Sequence, residues 1–350
     1  MENPAATVLN IDCAFQKDPG YAYEQERTER AGAVWRLERA RTEDEIIHIA
    51  RDANVILLEY GNTPLTARVL QNLPRCWGLV KYGIGLDNVD LEAATGQGIV
   101  VANAAEFCLE EVSDHAIALL LSAARRIVSM DRTIRAGGWF DFPQYGSMRR
   151  IRSLTLGLLG FGRIGRAVAR KMAGFGLRIL ASDPYATPES MPPHVTLVSR
   201  EELLASADLL SIHVPLTKDT RGVIGETELR SMKTSAILVN TSRGPVIDEP
   251  ALERALIEGW IAAAALDVYV EEPLPAQSPL RGMDNVILTP HYSGRSEDSM
   301  IDLRGTIADS VEAFVQGCWP PYVANPTVSP RIPLKPWSEF QRSNQESKTV

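Results

Sequence analysis

Three short polar segments each close an apolar run of strand length, and between them they carry an arginine, carboxylates and a histidine. Residues 238–244 read Leu-Val-Asn-Thr-Ser-Arg-Gly, residues 265–273 read Ala-Leu-Asp-Val-Tyr-Val-Glu-Glu-Pro, and residues 288–294 read Leu-Thr-Pro-His-Tyr-Ser-Gly. A guanidinium such as Arg243 grips a carboxylate and polarises a neighbouring carbonyl. An imidazole such as His291 exchanges the proton of a hydroxyl. A carboxylate behind that imidazole fixes its tautomer and favours imidazolium. The set suits interconversion of a carbonyl and a hydroxyl, given a partner that moves the hydride.

Residues 154–183 hold a candidate for that partner's site. An apolar run, 154–159, leads into Gly160-Phe161-Gly162-Arg163-Ile164-Gly165, then a helical apolar pattern (Ile164, Val168, Met172, Phe175), then a second apolar run ending in Asp183. This strand–turn–helix–strand order is the context that G-x-G-x-x-G requires to hold a dinucleotide. Gly160 permits the tight turn, Gly162 lets backbone approach the pyrophosphate, and Gly165 allows close helix–strand packing. The helix N-terminus offers unpaired N–H groups to the phosphates, with Arg163 facing them. Asp183 stands eighteen residues past Gly165, where it can accept from ribose hydroxyls and would repel a 2′-phosphate. NAD(H) is therefore expected rather than NADP(H). An ordinary strand-to-helix turn without ligand would need neither that acid nor the flanking elements.

The elements that must position these groups read as α/β throughout. Residues 5–11, 55–58, 79–82 and 99–101 are short apolar strands, and 42–51 and 66–73 are amphipathic helices. Residues 112–127 read as one long interdomain helix, with Glu110 and Glu111 at its start and Arg125-Arg126 at its end. Its His115 is most simply a packing residue. Strands at 209–214, 236–240, 262–268 and 286–289 alternate with helices at 201–205, 227–231 and 249–258. A last helix, 298–316, is expected to cross back onto the first domain. The fold class is α/β: two Rossmann-like or flavodoxin-like domains with parallel sheets and a cleft between them. Residues 1–104 with 296–328 form a discontinuous substrate domain, 105–295 the NAD-binding domain, and 329–350 a mobile tail or oligomer arm.

At 350 residues the chain can bury two cores, and its 45% hydrophobic and 23% charged content is ordinary for a globular protein. A net charge of −8 and a pI near 5.3 argue against nucleic-acid partners. The four cysteines, Cys13, Cys76, Cys108 and Cys318, form no C-x-x-C pair and cluster with no histidine, so reduced thiols and no metal are expected. No signal-peptide pattern or membrane-length apolar run is evident, which points to the cytoplasm.

Taken together, the sequence resembles the D-isomer-specific 2-hydroxyacid dehydrogenases from about Val55 to about Pro326. Besides the glycine turn, the resemblance rests on Lys81-Tyr82-Gly83-Ile84-Gly85-Leu86-Asp87-Asn88-Val89-Asp90 and on residues 103–118. Within the family it is nearest the branch of the C-terminal binding proteins, through residues 149–167 and 108–116. The resemblance implies that Arg243 binds the substrate carboxylate and carbonyl, that His291 is the acid/base, and that Glu272, rather than Glu271, pairs with it. The bland alternative is a structural Arg243–Glu272 ion pair with His291 only packed. Lys81, Tyr82, Gly83, Ile84 and Gly85 would form the substrate loop. Besides the glycine turn and Asp183, the cofactor would touch His213, Val214, Pro215, Thr220, Thr241, Ser242, Arg243, Asp267, His291 and Gly294.

Two departures bear on substrate. Lys81 stands where family members often carry Arg or Ser, and Gly294 stands where the branch has a tryptophan. Lys81 and Arg295 flanking the site would favour a substrate with a second anionic group. The expected partner is a 2-keto or 2-hydroxy acid, in a homodimer that uses residues 127–145 as contact arm. Rival readings are an NAD(H)-sensing corepressor and a dehydrogenase of a phosphite- or phosphonate-type oxyanion.

Overall fold

The structure, a computed structural model, describes residues 5–11, 20–59, 63–139 and 148–341. Two compact units emerge, one of residues up to Phe107 together with Glu297 onward, the other Cys108–Ser296.

In the first unit β1 (Thr7–Ile11), β2 (Val34–Glu38), β3 (Val55–Leu58), β4 (Gly78–Lys81) and β5 (Val100–Asn103) form a parallel sheet in the order β2-β1-β3-β4-β5. That is the flavodoxin-like order. Strands β3, β4 and β5 are buried along their length, which is why they read as nearly unbroken apolar runs. Helices α1 (Ala22–Arg30), α2 (Glu43–Ala50), α3 (Ala67–Gln71) and α4 (Leu91–Gly96) connect them. A capping box opens α2: the Thr42 hydroxyl accepts from Glu45 N–H, and the Glu45 carboxylate accepts from Thr42 N–H.

The second unit begins with α5 (Leu109–Ala124) and α6 (Ile127–Arg135). Arg126 takes the left-handed conformation, φ 55°, so the single helix expected over 112–127 stops there and α5 lies wholly in this unit. After it come β6 (Thr155–Leu159), α7 (Arg163–Met172), β7 (Arg178–Ser182), β8 (Val195–Leu197), α8 (Arg200–Ser206), β9 (Leu209–Ile212), α9 (Glu226–Ser231), β10 (Ile237–Asn240), α10 (Glu249–Glu258), β11 (Ala263–Leu266) and β12 (Val286–Leu288). All seven strands are parallel in the order β12-β11-β10-β9-β6-β7-β8. The direction of strand addition reverses between β6 and β9, and ligands of open α/β sheets bind beyond the strand ends at such a point. Phe175, expected on the apolar face of α7, falls past the helix end and is exposed.

The last helix, α11 (Glu297–Val315), belongs to the first unit. Its Leu303, Ile307, Val311 and Phe314 join the apolar cluster of Val8, Val55, Leu57 and Val80. Ion pairs fasten it to α1: Arg27 meets Asp309 at 2.8 Å and also Glu312, and Arg304 reaches the fully buried Glu24 at 3.0 Å. Residues 329–341, expected as a mobile tail or arm, instead pack on this unit. Arg331 donates to the carbonyls of Leu73, Cys76 and Gln97, and Phe340, stacked on Trp337, is buried beside Ala313 and Cys318.

Candidate active site

Each glycine of the G-x-G-x-x-G turn meets a separate steric demand. Gly160 has φ +92°, and a Cβ there would lie 2.8 Å from the His213 carbonyl. At Gly165 a Cβ would stand 2.5 Å from the Gly160 oxygen, so no other residue lets α7 start so close to the turn. Nothing lies within 4 Å of the Gly162 position, which opens to space a ligand backbone could enter. No side chain caps α7, so its first-turn N–H groups remain for an anion. Phe161 is buried beneath the Arg166 guanidinium, Ile164 packs into the core, and Arg163 is exposed. Asp183, just past β7, accepts from Phe161 N–H at 2.8 Å and from Tyr185 N–H at 2.9 Å, tying the acid to the glycine turn.

Past β9, Thr220 donates to Pro215 O at 2.6 Å and closes the Val214–Pro215 loop on itself. Two polar atoms on adjacent strand ends are buried without a hydrogen-bond partner: Nε2 of His213 and Oγ1 of Thr241. Buried polar atoms are seldom left unmet. Together with the open Gly162 face and the uncapped helix, these atoms fit a dinucleotide.

Burial pushes the His213 imidazole from 6.5 down to about 4. An unfolded chain takes up a proton below about 6.5, but folded His213 does not until about 4. Stability should therefore fall as pH drops through that window, by on the order of 3 kcal/mol in full. Urea unfolding at pH 7 and pH 4.5 should show a smaller acid loss in His213→Leu than in the parent; equal losses would refute the assignment.

Beyond β10, the buried Asn240 knots the turn that carries Arg243. Its side-chain oxygen accepts from Ser242 N–H at 3.0 Å and Oγ at 2.8 Å, and its amide donates to Arg243 O at 2.9 Å. The Arg243 guanidinium donates to Ser242 O at 2.7 Å. Gly244 follows because the backbone of Tyr269 lies where a Cβ would be, 1.9 Å away. This contact brings the second polar segment against the first.

The carboxylate of Glu272 accepts from Tyr269 N–H at 3.0 Å and, through its other oxygen, meets His291 Nδ1 at 2.7 Å. Burial alone would push this carboxyl up. The His291 hydrogen bond and charge, the Tyr269 N–H and the nearby Arg243 outweigh it and hold the group below the usual carboxylate range. A carboxylate facing Nδ1 makes that nitrogen the donor, so the partly exposed ring is left with Nε2 for proton exchange.

His291 itself sits at φ 52°, a conformation few side chains adopt. Asp267, fully buried beyond β11, sustains it by accepting from three successive N–H groups. Its carbonyl takes His291 at 2.8 Å, Oδ1 takes Tyr292 at 3.0 Å, and Oδ2 takes Ser293 at 3.0 Å. Thr289 Oγ1 donates to the same carboxylate at 2.6 Å. Asp267, expected along the nicotinamide, thus spends its carboxylate on the His291 loop. Gly294 packs on Cys108, whose thiol burial pushes up to about 12; a Cβ there would stand 3.0 Å from Sγ, a tight contact.

In the first unit, the Tyr82 N–H is spent on Leu58 O at 2.8 Å, and Lys81 donates to the carbonyl of Glu59 from a buried position. Among the described residues the N–H groups of Gly83, Ile84 and Gly85 take no hydrogen bond, while the carbonyls of Gly83 and Ile84 are met by Ala104 N–H and the Asn103 amide. Of the expected substrate loop, three backbone donors remain. The sequence reads His115 as a packing residue and gives Thr289 no role, yet both join the Asp267 network. The one signal for His115 was a histidine four residues before Leu119, on the buried stripe of an apolar helix.

Residues 117–293 match the family profile "D-isomer specific 2-hydroxyacid dehydrogenase, NAD binding domain". A glyoxylate reductase of Korarchaeum cryptofilum (strain OPF8) is 40% identical over 305 residues, 84% of this chain and 90% of that protein. Among solved structures, a glyoxylate reductase from Paecilomyes thermophila has a TM-score of 0.81 at 27% identity, covering 92% of this chain and 99% of that one. D-lactate dehydrogenase from Aquifex aeolicus, complexed with NAD and lactic acid, has a TM-score of 0.78 at 27% identity, covering 89% of this chain and 96% of that one.

Proposed function

The chain belongs to the D-isomer-specific 2-hydroxyacid dehydrogenases, NAD-dependent oxidoreductases acting on CH–OH groups, and from that premise we propose that it reduces a small monoanionic 2-keto acid of the glyoxylate class. The observation that carries this reading is the 2.7 Å contact between His291 Nδ1 and Glu272, on the segment that Gly244 brings against the Arg243 turn. Arg243 binds the substrate carboxylate and polarises the carbonyl. His291 gives its Nε2 proton to the forming hydroxyl and takes it back in the oxidative direction. Glu272 holds the tautomer and stabilises the imidazolium. The N–H groups of Gly83, Ile84 and Gly85 are the donors of the first unit suited to a carboxylate.

Bound NADH supplies the hydride. The α7 N-terminus, with Arg163, receives its pyrophosphate, Asp183 its adenosine ribose, and Thr241 and His213 offer their unmet polar atoms. Lys81 donates to Glu59 O from a buried position, and it is the likeness to glyoxylate reductases that favours a monoanionic substrate over the dianionic one the charges of Lys81 and Arg295 suggest.

A panel of 2-keto acids tests this. Turnover of glyoxylate should exceed that of oxaloacetate or 2-oxoglutarate, with NADH preferred over NADPH by ten-fold or more. In Asp183→Ala that cofactor preference should shrink, because the repulsion of a 2′-phosphate is gone. NADH binding without turnover of any 2-keto acid would refute the enzyme reading and favour a nucleotide-sensing role.

Helix α6 has no buried residue and exposes Ile127 and Ile134, and Trp139 beyond it is also exposed; we take this face as a homodimer contact. The remainder of the expected arm, from Phe140 to Tyr145, lies outside the described residues. No described helix is long and apolar enough to cross a membrane. Cys76, Cys108 and Cys318 are buried and free, which suits a reducing compartment such as the cytoplasm.

A further inference from the structure

His115 lies on α5, far in sequence from the catalytic segments, yet its Nε2 is 3.0 Å from Thr289 Oγ1 and 3.7 Å from Asp267 Oδ1. The protons at this junction can be counted. The Thr289 hydroxyl has one hydrogen, and it goes to Asp267 at 2.6 Å. His115 must then donate from Nε2 to the remaining lone pair of that hydroxyl. The Asp267 carboxylate is fully buried and accepts from Thr289 Oγ1, Tyr292 N–H and Ser293 N–H. A buried carboxylate demands such donors, and His115 brings the nearest ionisable nitrogen the structure records. The histidine is half-buried, its side chain 27% exposed, so it forms the outer end of a relay running inward to the loop.

We propose that His115 is a positioning residue for the reaction: its Nε2–H, passed through the Thr289 hydroxyl, anchors the Asp267 carboxylate and thereby the left-handed turn that presents His291. The inference rests on the functional reading above, but its geometry lies wholly within the second unit. The strained φ of 52° at His291 needs an enclosing frame. Asp267 holds His291 N–H through its backbone carbonyl, but the part of the frame made by the Tyr292 and Ser293 bonds stands only while its side chain is held in one rotamer. Loosening His115 or Thr289 frees that rotamer first, then the Tyr292 and Ser293 N–H groups, and lastly the imidazole.

The test compares His115→Ala and Thr289→Val, which remove the relay, with His115→Gln and Thr289→Ser, which keep a donor and a hydroxyl. Hydrogen exchange of the full-length protein is read over residues 289–295. Protection of the Tyr292 and Ser293 amides should fall at least ten-fold in the first two variants and stay near the parent in the second two. In enzyme that turns over a 2-keto acid, kcat should drop about ten-fold in the first pair, with the Kd for NADH changed less than two-fold. The His115→Ala/Thr289→Val double variant should be no worse than either single one, since both break one chain of bonds. Unchanged amide protection, additive losses, or an unchanged kcat beside lost protection would each overturn the proposal. Should the parent turn over no 2-keto acid, the functional reading fails on its own account, and amide protection alone decides the role of His115.

Discussion

Replacing His291 by alanine is expected to lower kcat for 2-keto acid reduction by about 10³-fold while leaving NADH binding within a few-fold of the parent. The loss follows from the proton's route. Glu272 holds Nδ1 at 2.7 Å, so Nε2 is the group able to reach a forming hydroxyl. Alanine leaves Arg243 in place to bind the substrate, so KM should move less than kcat. Glu272→Gln is the companion variant. It keeps a side chain against Nδ1 but removes the carboxylate charge that faces the ring during proton transfer, and should cost roughly ten- to a hundred-fold. A His291→Ala enzyme with kcat within ten-fold of the parent would sink the assignment of this imidazole as acid/base. Loss of NADH binding in the same variant would instead mark it as a structural residue of the cofactor site.

Gly244→Ala should have the largest effect of any small substitution in the second unit. The added carbon would lie 1.9 Å from the Tyr269 carbonyl carbon, 2.0 Å from its oxygen and 2.5 Å from Val270 N. These are backbone atoms, so no rotamer change relieves the clash; one segment must move. The cost is expected at about 4 kcal/mol, a fall of about 10 °C in Tm. Activity should fall more than a hundred-fold as well, because the Tyr269 N–H and Glu272 shift with the displaced segment. Gly162→Ala is the control. With nothing within 4 Å of its Cβ, it should keep the parent's Tm and instead weaken NADH binding. Calorimetry and NADH titration of the two variants separate a packing glycine from a ligand-facing one, and a parent-like Tm for Gly244→Ala would contradict the contact.

Much of this was open to reading from the residues alone, and the parts that were not share a cause. The turn at Gly160–Gly165 is legible because its constraints are local: one positive φ, one helix start, one close approach, all within six residues. The buried strands are legible because burial on both faces leaves only apolar residues to read. Helix α1 left no such trace, since its buried residues are Glu24 and Thr28 rather than an apolar stripe, and Glu24 is tolerated because Arg304 arrives from α11. Strand β2 is an edge strand with Val34 and Leu37 exposed, and β8 has three residues. The segment after 328 carries few apolar residues, and its order comes from Arg331 finding carbonyls distant in sequence.

Residue types and their spacing sufficed to specify an α/β chain with a dinucleotide turn, an acid at the end of the next strand, and an arginine, an acid and a histidine at strand ends. Local periodicity and backbone sterics encode such features within a few residues. Only the folded chain decided that Lys81 is bound to a carbonyl, and that Asp267 holds a loop together with Thr289 and His115. Those outcomes depend on which donor reaches which acceptor across tens to hundreds of residues. Such pairing is set by sheet register and helix packing, and no short stretch of sequence contains it.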